Sequence, residues 1–208
     1  MDISLDGFTA KIPADYQAMN RLPNDPTGAV SFMKQTPNAA CLAMYGSVPA
    51  NEAMSFNSLD KVIAAVRGAM ADDQGLIEVK NGITDAGKKY IYSIVKTVGR
   101  NNISVQYFLA MHIGFFANKV FQIQAFFNET GTTGQRDTAV YAILAADGKI
   151  QMNEQGQIAA GWACDPYDES ITKGALMNMS EREHYDEVFP DHPLTQARLL
   201  ANELIQMN

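Results

Sequence analysis

Apolar and polar residues alternate along several stretches of the chain, which is the spacing of a β-strand that buries one face. Short strands are predicted at residues 8–12, 30–34 and 41–46. The clearest alternation lies in residues 104–113, where five apolar side chains occupy every second position. Residues 119–128 repeat this pattern, and the short link between the two stretches predicts an antiparallel pair of strands.

Two other stretches repeat their apolar residues at helical spacing. Residues 58–71 form the first predicted helix, and its apolar face consists of Leu59, Val62, Ile63, Val66 and Met70. Residues 133–147 form the second, with Ala139, Val140, Ile143 and Leu144 on its inner side and Gly148 at its end. Strands at 76–80 and 90–98 lie between these helices, with a tight turn expected at Asn81-Gly82.

The order of these elements predicts the class of the fold. Strands, a helix, a four-strand meander over residues 76–128 and a second helix follow one another, without the alternation of a βαβ chain. Residues 1–150 are therefore expected to form one α+β domain, in which a single antiparallel sheet packs with two helices.

The opening segment, residues 7–16, reads GFTAKIPADY. A strand that ends in proline and is followed by an aromatic residue resembles the start of Mog1/PsbP-like domains, and the later order of helix, meander and helix is also similar to that fold. This resemblance covers about the first 150 residues. Members of the fold include a Ran-GTPase-binding factor, photosystem subunits and chaperones for secreted effectors, so it implies a binding role and no particular site residues.

Residues 151–208 depart from that pattern and are predicted to form an acidic helical extension that packs on or beside the first domain. Ser180 and Glu183 fit a capping box for a short helix that ends before Pro190, and a last helix begins near Leu194. This helix needs an apolar surface to cover it, supplied either by the sheet of this chain or by a partner.

Charge is distributed unevenly along the chain. The net charge of the protein is −7, and from Cys164 onward nine acidic and three basic residues give −6. This balance argues against nucleic-acid binding, which needs a basic surface, and favours a protein partner with a basic surface. The sequence contains no signal peptide and no stretch long enough to span a membrane, so a cytoplasmic protein is expected unless a leader has been removed.

Five residues of the extension are candidates for contact with a partner because large aromatic side chains occur there in short, turn-rich elements. They are Trp162, Tyr167, Tyr185, Phe189 and His192. Such residues either attach the extension to the first domain or anchor another protein, and the first role is the more frequent one in short elements.

Residues that could carry chemistry are few. No phosphate-binding loop, nucleophile elbow or zinc-binding cysteine pair occurs, so no cofactor is expected. Glu181, His184, Asp191 and His192 could together form a metal site, but their spacing matches no known ligand pattern. Cys41 and Cys164 are expected to be free thiols, and His112 has no catalytic partner nearby in sequence.

Three functions remain open from the sequence. The first is a non-enzymatic module that binds another protein, such as an adaptor, a chaperone or an immunity protein. The second is an enzyme of hydrolase type with an unfamiliar site around His184 and His192. The third is a domain that binds a small apolar ligand in a cleft between the sheet and the extension.

Overall fold

The computed structural model describes residues 1–21, 28–99 and 105–208. Its elements follow one another in an α+β order: β1 (Asp2–Leu5), β2 (Phe8–Lys11), β3 (Gln17–Ala18), β4 (Val30–Gln35), β5 (Ala39–Pro49), α1 (Leu59–Ala69), β6 (Gln74–Ile83), β7 (Lys89–Val98), β8 (Val105–Phe116), β9 (Lys119–Glu129), α2 (Gln135–Ala146), β10 (Gln151–Met152), β11 (Ile158–Ala160) and α3 (Pro193–Met207). Seven strands form one antiparallel sheet in the order β3-β4-β5-β9-β8-β7-β6. This confirms the α+β class and the antiparallel meander from β6 to β9. The expectation of a single sheet is wrong, because β1 pairs with β2, and β10 with β11, in two separate two-stranded sheets.

One face of the sheet, here called the inner face, is covered by α3. The helix turns its apolar side toward strands β5, β9 and β8, and the residues on that side are Leu194, Ala197, Leu200, Ala201 and Leu204. They pack on sheet residues that have almost no exposed surface, including Tyr45, Leu109 and Ile123. The last helix therefore contributes to the main core of the protein.

The opposite face, here called the outer face, is covered over β6 and β7 by α1. Val62 of the helix packs with Leu76, Ile91 and Val95 of these strands in a second apolar cluster. Ser58 caps the helix, since its hydroxyl accepts a hydrogen bond from the Lys61 backbone N–H at 3.3 Å. The predicted apolar side of this helix is confirmed.

Helix α2 lies away from both of these clusters, and its inner side differs from the prediction. Val140 and Leu144 are buried, whereas Ala139 and Ile143 are exposed. Arg136 is fully buried on this helix because its guanidinium group makes hydrogen bonds to the segment before α3. Apolar spacing alone could not identify a buried arginine as part of the inner side.

The turn predicted at Asn81-Gly82 is wrong, because β6 continues through both residues. Gly82 pairs with Tyr90 across the sheet, and a Cβ atom at position 82 would lie within 3 Å of the Tyr90 hydroxyl. The glycine serves close packing against an aromatic side chain here. The chain reverses further on, where the Thr84 backbone N–H donates to the Lys88 carbonyl at 2.7 Å.

The short helix predicted after Ser180 is also wrong. Two 3-10 turns, Met179–Glu181 and Glu183–Tyr185, occupy this segment. The capping box is shifted by two residues, since Asn178 caps the first turn and Glu181 returns the hydrogen bond. The Glu181 carboxylate is needed at this position because it also pairs with the sheet.

The extension packs in cis on the sheet, and the two termini meet. Asn208 accepts a hydrogen bond from the Lys11 backbone N–H at 2.7 Å and donates one to the Lys11 carbonyl at 3.1 Å. The proposed domain boundary at residue 150 stays a prediction. A chain ending there would lack the helix that covers the inner face.

Candidate functional site

Buried charges connect the extension to the sheet. Lys96 on β7 donates to Glu181 at 2.7 Å, and the Tyr107 hydroxyl on β8 donates to the other carboxylate oxygen at 2.9 Å. The backbone N–H of Asn178 also donates to Glu181, at 2.7 Å. Burial and the adjacent carboxylate raise the pKa of Tyr107 well above its usual value, so its hydroxyl remains a donor.

Arg198 of α3 makes the second set of buried contacts. It donates to Glu78 on β6 at 3.1 Å and to both carboxylate oxygens of Asp186 at 3.1 Å. Its remaining nitrogen donates to the Glu181 carbonyl at 2.8 Å. Burial alone would lower the pKa of Arg198, but Glu78 and Asp186 outweigh that effect and raise it, so the guanidinium group stays charged.

Arg136 of α2 completes the set. It donates to the carbonyl of Ser180 at 2.7 Å, to the Thr195 hydroxyl at 2.9 Å and to Asp186 at 2.9 Å. We call the six charged side chains the buried ion cluster: Glu78, Lys96, Arg136, Glu181, Asp186 and Arg198. Each of them forms an ion pair with another member.

The buried ion cluster fixes the extension on the sheet. A buried charge is tolerated only when it is paired and its hydrogen bonds are satisfied, and this geometry meets both conditions. The donors around Glu181 already occupy both carboxylate oxygens, so this residue is not available to a metal or a substrate. We therefore assign the cluster a structural role.

Several acidic residues of the extension form ion pairs within the protein. Glu181 and Asp186 pair within the cluster, Asp165 pairs with Arg67 of α1, and Glu183 pairs with Lys80 of β6 at 3.1 Å. Basic residues of the first 150 positions thus balance several of these acids. The net charge of −6 from Cys164 onward is therefore weak evidence that the partner has a basic surface.

Three of the five candidate partner-binding residues lie in a small cluster below α2. Trp162, Tyr185 and Phe189 pack against Val140 and Leu144. The indole ring of Trp162 meets Tyr141 edge to face, with centroids 5.4 Å apart. These aromatic side chains hold the extension in place, although a contact with a partner remains a prediction for them.

Tyr167 is the most exposed of the five, at 41%. Its hydroxyl accepts a hydrogen bond from the Val79 backbone N–H at 2.6 Å and lies 3.3 Å from the Val79 carbonyl. Val79 belongs to β6, the last strand of the sheet on that side. Tyr167 therefore satisfies backbone groups that an edge strand would otherwise present to another chain.

The structure does not bring His184 and His192 into one site. His184 is exposed and lines a depression with Glu78, Tyr167 and Arg182, whereas His192 lines a different one beside Arg136. His192 caps α3, since its Nδ1 accepts from the Leu194 N–H at 3.2 Å. Burial and the nearby arginines lower its pKa to about 3, so it remains neutral.

A metal site is not assembled from the predicted residues. Within residues 1–21, 28–99 and 105–208, no group of three or more His, Cys, Asp or Glu side chains could hold a metal ion. Cys41 is buried and Cys164 partly buried, and both thiols are free, as predicted. Burial raises the pKa of Cys41 to about 12, which makes it an inert thiol.

His112 lies on the outer face of β8, under the loop that precedes α1. Its Nδ1 accepts a hydrogen bond from the Met54 N–H at 2.9 Å, and its Nε2 lies 3.1 Å from the Gln122 carboxamide. Because Nδ1 is an acceptor, Nε2 carries the proton in the neutral ring. Burial lowers the pKa of His112 to about 4, so the ring fixes this loop to the sheet in its neutral form.

Beyond His112 the outer face has no helix over it in the part of the chain that the structure describes. We call the outward positions of four strands beyond His112 the open face. These are positions 31, 33 and 35 of β4, 40, 42 and 44 of β5, 124, 126 and 128 of β9, and 106, 108 and 110 of β8. Four residues in register cross it from strand to strand, and they form what we call the apolar stripe: Met33, Leu42, Phe126 and Phe108. The stripe continues into Val95, which α1 covers.

The apolar stripe is only partly buried. Met33 is 40% exposed, and the other three side chains are half-buried. The rings of Phe108 and Phe126 lie 4.8 Å apart in a tilted arrangement. A run of partly exposed large apolar side chains across four strands is a candidate surface for contact with another molecule.

The surroundings of the stripe are polar but uncharged. The outward neighbours on either side are small residues, amides and Met44, and none of the open-face positions of the described strands carries an acidic or basic side chain. The amides are Gln35, Gln106, Gln124 and Asn128. This contrasts with the net charge of the protein as a whole.

Sequence reasoning missed the open face although its signal was present. The alternation in residues 104–113 and 119–128 placed Phe108 and Phe126 opposite the core side, among glutamines. A strand that a helix covers on both faces would have replaced those glutamines with apolar residues. The order of the strands was needed to show that the outward positions of four strands form one surface.

No protein-family model matches this chain, and no curated protein is significantly similar to it. The described residues contain no helix that is long and apolar enough to cross a membrane.

Proposed function

We propose that this protein is a non-enzymatic module that binds another protein through the open face of its sheet. The apolar stripe is the observation that carries the proposal. It places Met33, Leu42, Phe126 and Phe108 side by side without a cover from the described chain. Leaving such side chains in water costs free energy that a partner would recover on binding.

The composition of the open face suits a protein partner. A binding surface usually has an apolar centre that is depleted of charge and surrounded by polar groups. Here two phenylalanine rings form the centre, and glutamine and asparagine side chains surround it. The amides can donate and accept hydrogen bonds at the periphery of an interface.

The resemblance to Mog1/PsbP-like domains supports the same function. The order of helix α1, the meander β6–β9 and helix α2 matches the order on which the resemblance rests. That fold is used by several proteins that bind other proteins, so membership would favour a binding role by analogy.

The distribution of charge on this protein indicates which kind of surface the partner would present to each region. Because the open face is uncharged, the central contact is expected to be with a neutral apolar surface. A basic surface on the partner would contact the exposed acids of the extension, such as Glu169 and Glu187. Those contacts would change the rate of association more than the affinity.

Site-directed photo-crosslinking in the native host tests the proposal. The photoreactive residue p-benzoylphenylalanine replaces Leu42 or Phe126 on the open face, and Ile83 or Ile143 in matched controls, which are 66% and 55% exposed elsewhere on the protein. We expect a discrete protein adduct from positions 42 and 126 and none from the controls. Equal labelling at all four positions, or no adduct from the open face, would contradict the proposal.

A further inference from the structure

The open face has room for one more helix beside α1. This inference rests on the proposed function and concerns the kind of partner. Helix α1 covers the outer face over β6 and β7 and leaves five strands beside it, namely the two-residue edge strand β3 and the four strands of the open face. The axes of these four strands span about 14 Å at the usual strand spacing, which is sufficient for one helix of about 10 Å diameter.

The open-face positions of the described strands carry no charged side chain, and this restricts which side chains of a partner can lie on them. A charged side chain placed against the apolar stripe would lose water without gaining an ion pair, because no outward position of these described strands carries a charge. The contacting side of the partner must therefore be apolar, with amides or hydroxyls at its margins. The net charge of −7 on each copy also opposes pairing of two copies through this face.

The size of the surface argues further against a second copy. The stripe and its two flanking rows cover about 300 Å² at standard strand dimensions. A stable dimer usually buries about 800 Å² on each partner. Addition of a strand is also unsuited to this site, because an added strand pairs with the edge of a sheet and this surface is a face.

We infer that the open face binds an amphipathic helix of the partner protein, whose uncharged apolar side packs on the apolar stripe. With the helix axis along the strands, apolar residues at positions i, i+3, i+4 and i+7 extend over about 10 Å of strand length, so they would cover the apolar stripe and reach the rows on either side of it. Phe108 and Phe126 lie at the centre of this contact and Met33 at its edge. Binding would place a second helix beside α1 and complete the outer layer.

A pair of peptide libraries tests the inference with defined probes. Both display 18-residue peptides on phage and contain the same randomised apolar residues. One library places them at i, i+3, i+4 and i+7 on a helix-forming background, and the other places them at every second position on a strand-forming background. Both are selected on the immobilised full-length protein, and the best peptides are measured by fluorescence anisotropy.

We expect enrichment from the helical library and at least a tenfold loss of affinity for the Leu42→Asp variant. Met33→Asp, at a more exposed position near the edge of the sheet, provides a second variant in case Leu42→Asp is unstable. Ile83→Asp is the control and should change the affinity less than twofold. A proline in the middle of the peptide should abolish binding, since it breaks the helix.

Three results would overturn the inference. Selection of strand-pattern peptides that still depend on Leu42 would contradict the helical partner but leave the proposed function standing. Peptides that bind equally to wild type and to the open-face variants, or no enrichment from the helical library, would also overturn it. Failure of the proposed function itself is recognised separately, by the absence of crosslinks at positions 42 and 126.

Discussion

The two faces of the sheet are built from the same strands but are covered by helices to different extents. The inner face is covered by α3 and connected to it by the buried ion cluster, so apolar packing and ion pairs both hold it closed. The outer face is covered by α1 over two strands and leaves the apolar stripe of the other strands partly exposed. Contacts within the chain close the inner face, and the open face is the surface to which we assign the proposed binding.

The largest expected effect is that of removing the cover of the inner face. A chain that ends at residue 150 lacks α3, and the side chains that the helix buries would be exposed, while Lys96 would lose Glu181 and Glu78 would lose Arg198. We expect no cooperative thermal transition for this fragment by circular dichroism. A fragment that unfolds cooperatively near the wild-type temperature would show that α3 is dispensable and would support a domain boundary at 150.

The ion cluster is the next feature to test. Arg198→Met keeps most of the side-chain volume but leaves the buried Glu78 and the half-buried Asp186 without this partner. We expect the free energy of unfolding in urea to fall by about 3–5 kcal/mol. Lys149→Met removes an exposed ion pair with Asp147 and should cost less than about 1 kcal/mol. Equal effects of the two substitutions would contradict the structural role of the cluster.

Substitutions at two neighbouring residues of β8 allow the two faces to be compared directly. Leu109 is fully buried on the inner face, whereas Phe108 is half-buried on the open face. Leu109→Ala should lower the free energy of unfolding by about 2–5 kcal/mol, because it leaves a cavity in a closed core. Phe108→Ala should cost less than Leu109→Ala although it removes more atoms, since part of the ring is already in contact with water. The reverse order in urea denaturation would mean that the outer face is covered.

Acid should weaken the attachment of the loop before α1 to the outer face, because His112 fixes that loop to the sheet. The pKa of His112 is lowered to about 4 in the folded protein, below its usual value of 6.5, so the unfolded chain binds this proton more readily. The contribution of His112 is complete above about pH 6.5, is lost as the pH falls toward 4, and stays constant below that. The full loss amounts to roughly 3 kcal/mol, at about 1.4 kcal/mol for each pKa unit.

The comparison of wild type with His112→Asn isolates this term from other acid effects. Asparagine retains an acceptor for the Met54 N–H but does not titrate. Unfolding in urea at pH 7 and pH 4 should therefore show a smaller loss of stability in the variant than in wild type. Equal losses would assign the acid sensitivity to carboxylates instead.

The sequence predicted the local elements better than their environment. Alternation identified the strands of the meander, and helical spacing identified α1 and the start of α3, because these patterns arise within one segment. The burial of Arg136 and the shift of the capping box from Ser180 to Asn178 depend on contacts with residues about 40 or more positions away. Such contacts have no periodic signal in the sequence.

The candidate site was less accessible to sequence reasoning than the fold. Large aromatics directed attention to Trp162 and Phe189, which the structure places in a small cluster under α2. The apolar stripe joins one residue from each of four strands, from Met33 to Phe126, and strand order decides whether they meet. Phe108 and Phe126 showed the outward alternation, but only the sheet shows that nothing described covers them.

The affinity of the crosslinked partner for open-face variants tests the central claim most directly. Once the adduct at position 42 identifies the partner, its dissociation constant is measured by calorimetry with wild type, Leu42→Asp and Ile83→Asp, each checked for an unchanged melting temperature. Binding through the open face predicts at least a tenfold weaker complex for Leu42→Asp and less than a twofold change for Ile83→Asp. Equal affinities for all three proteins would contradict the claim.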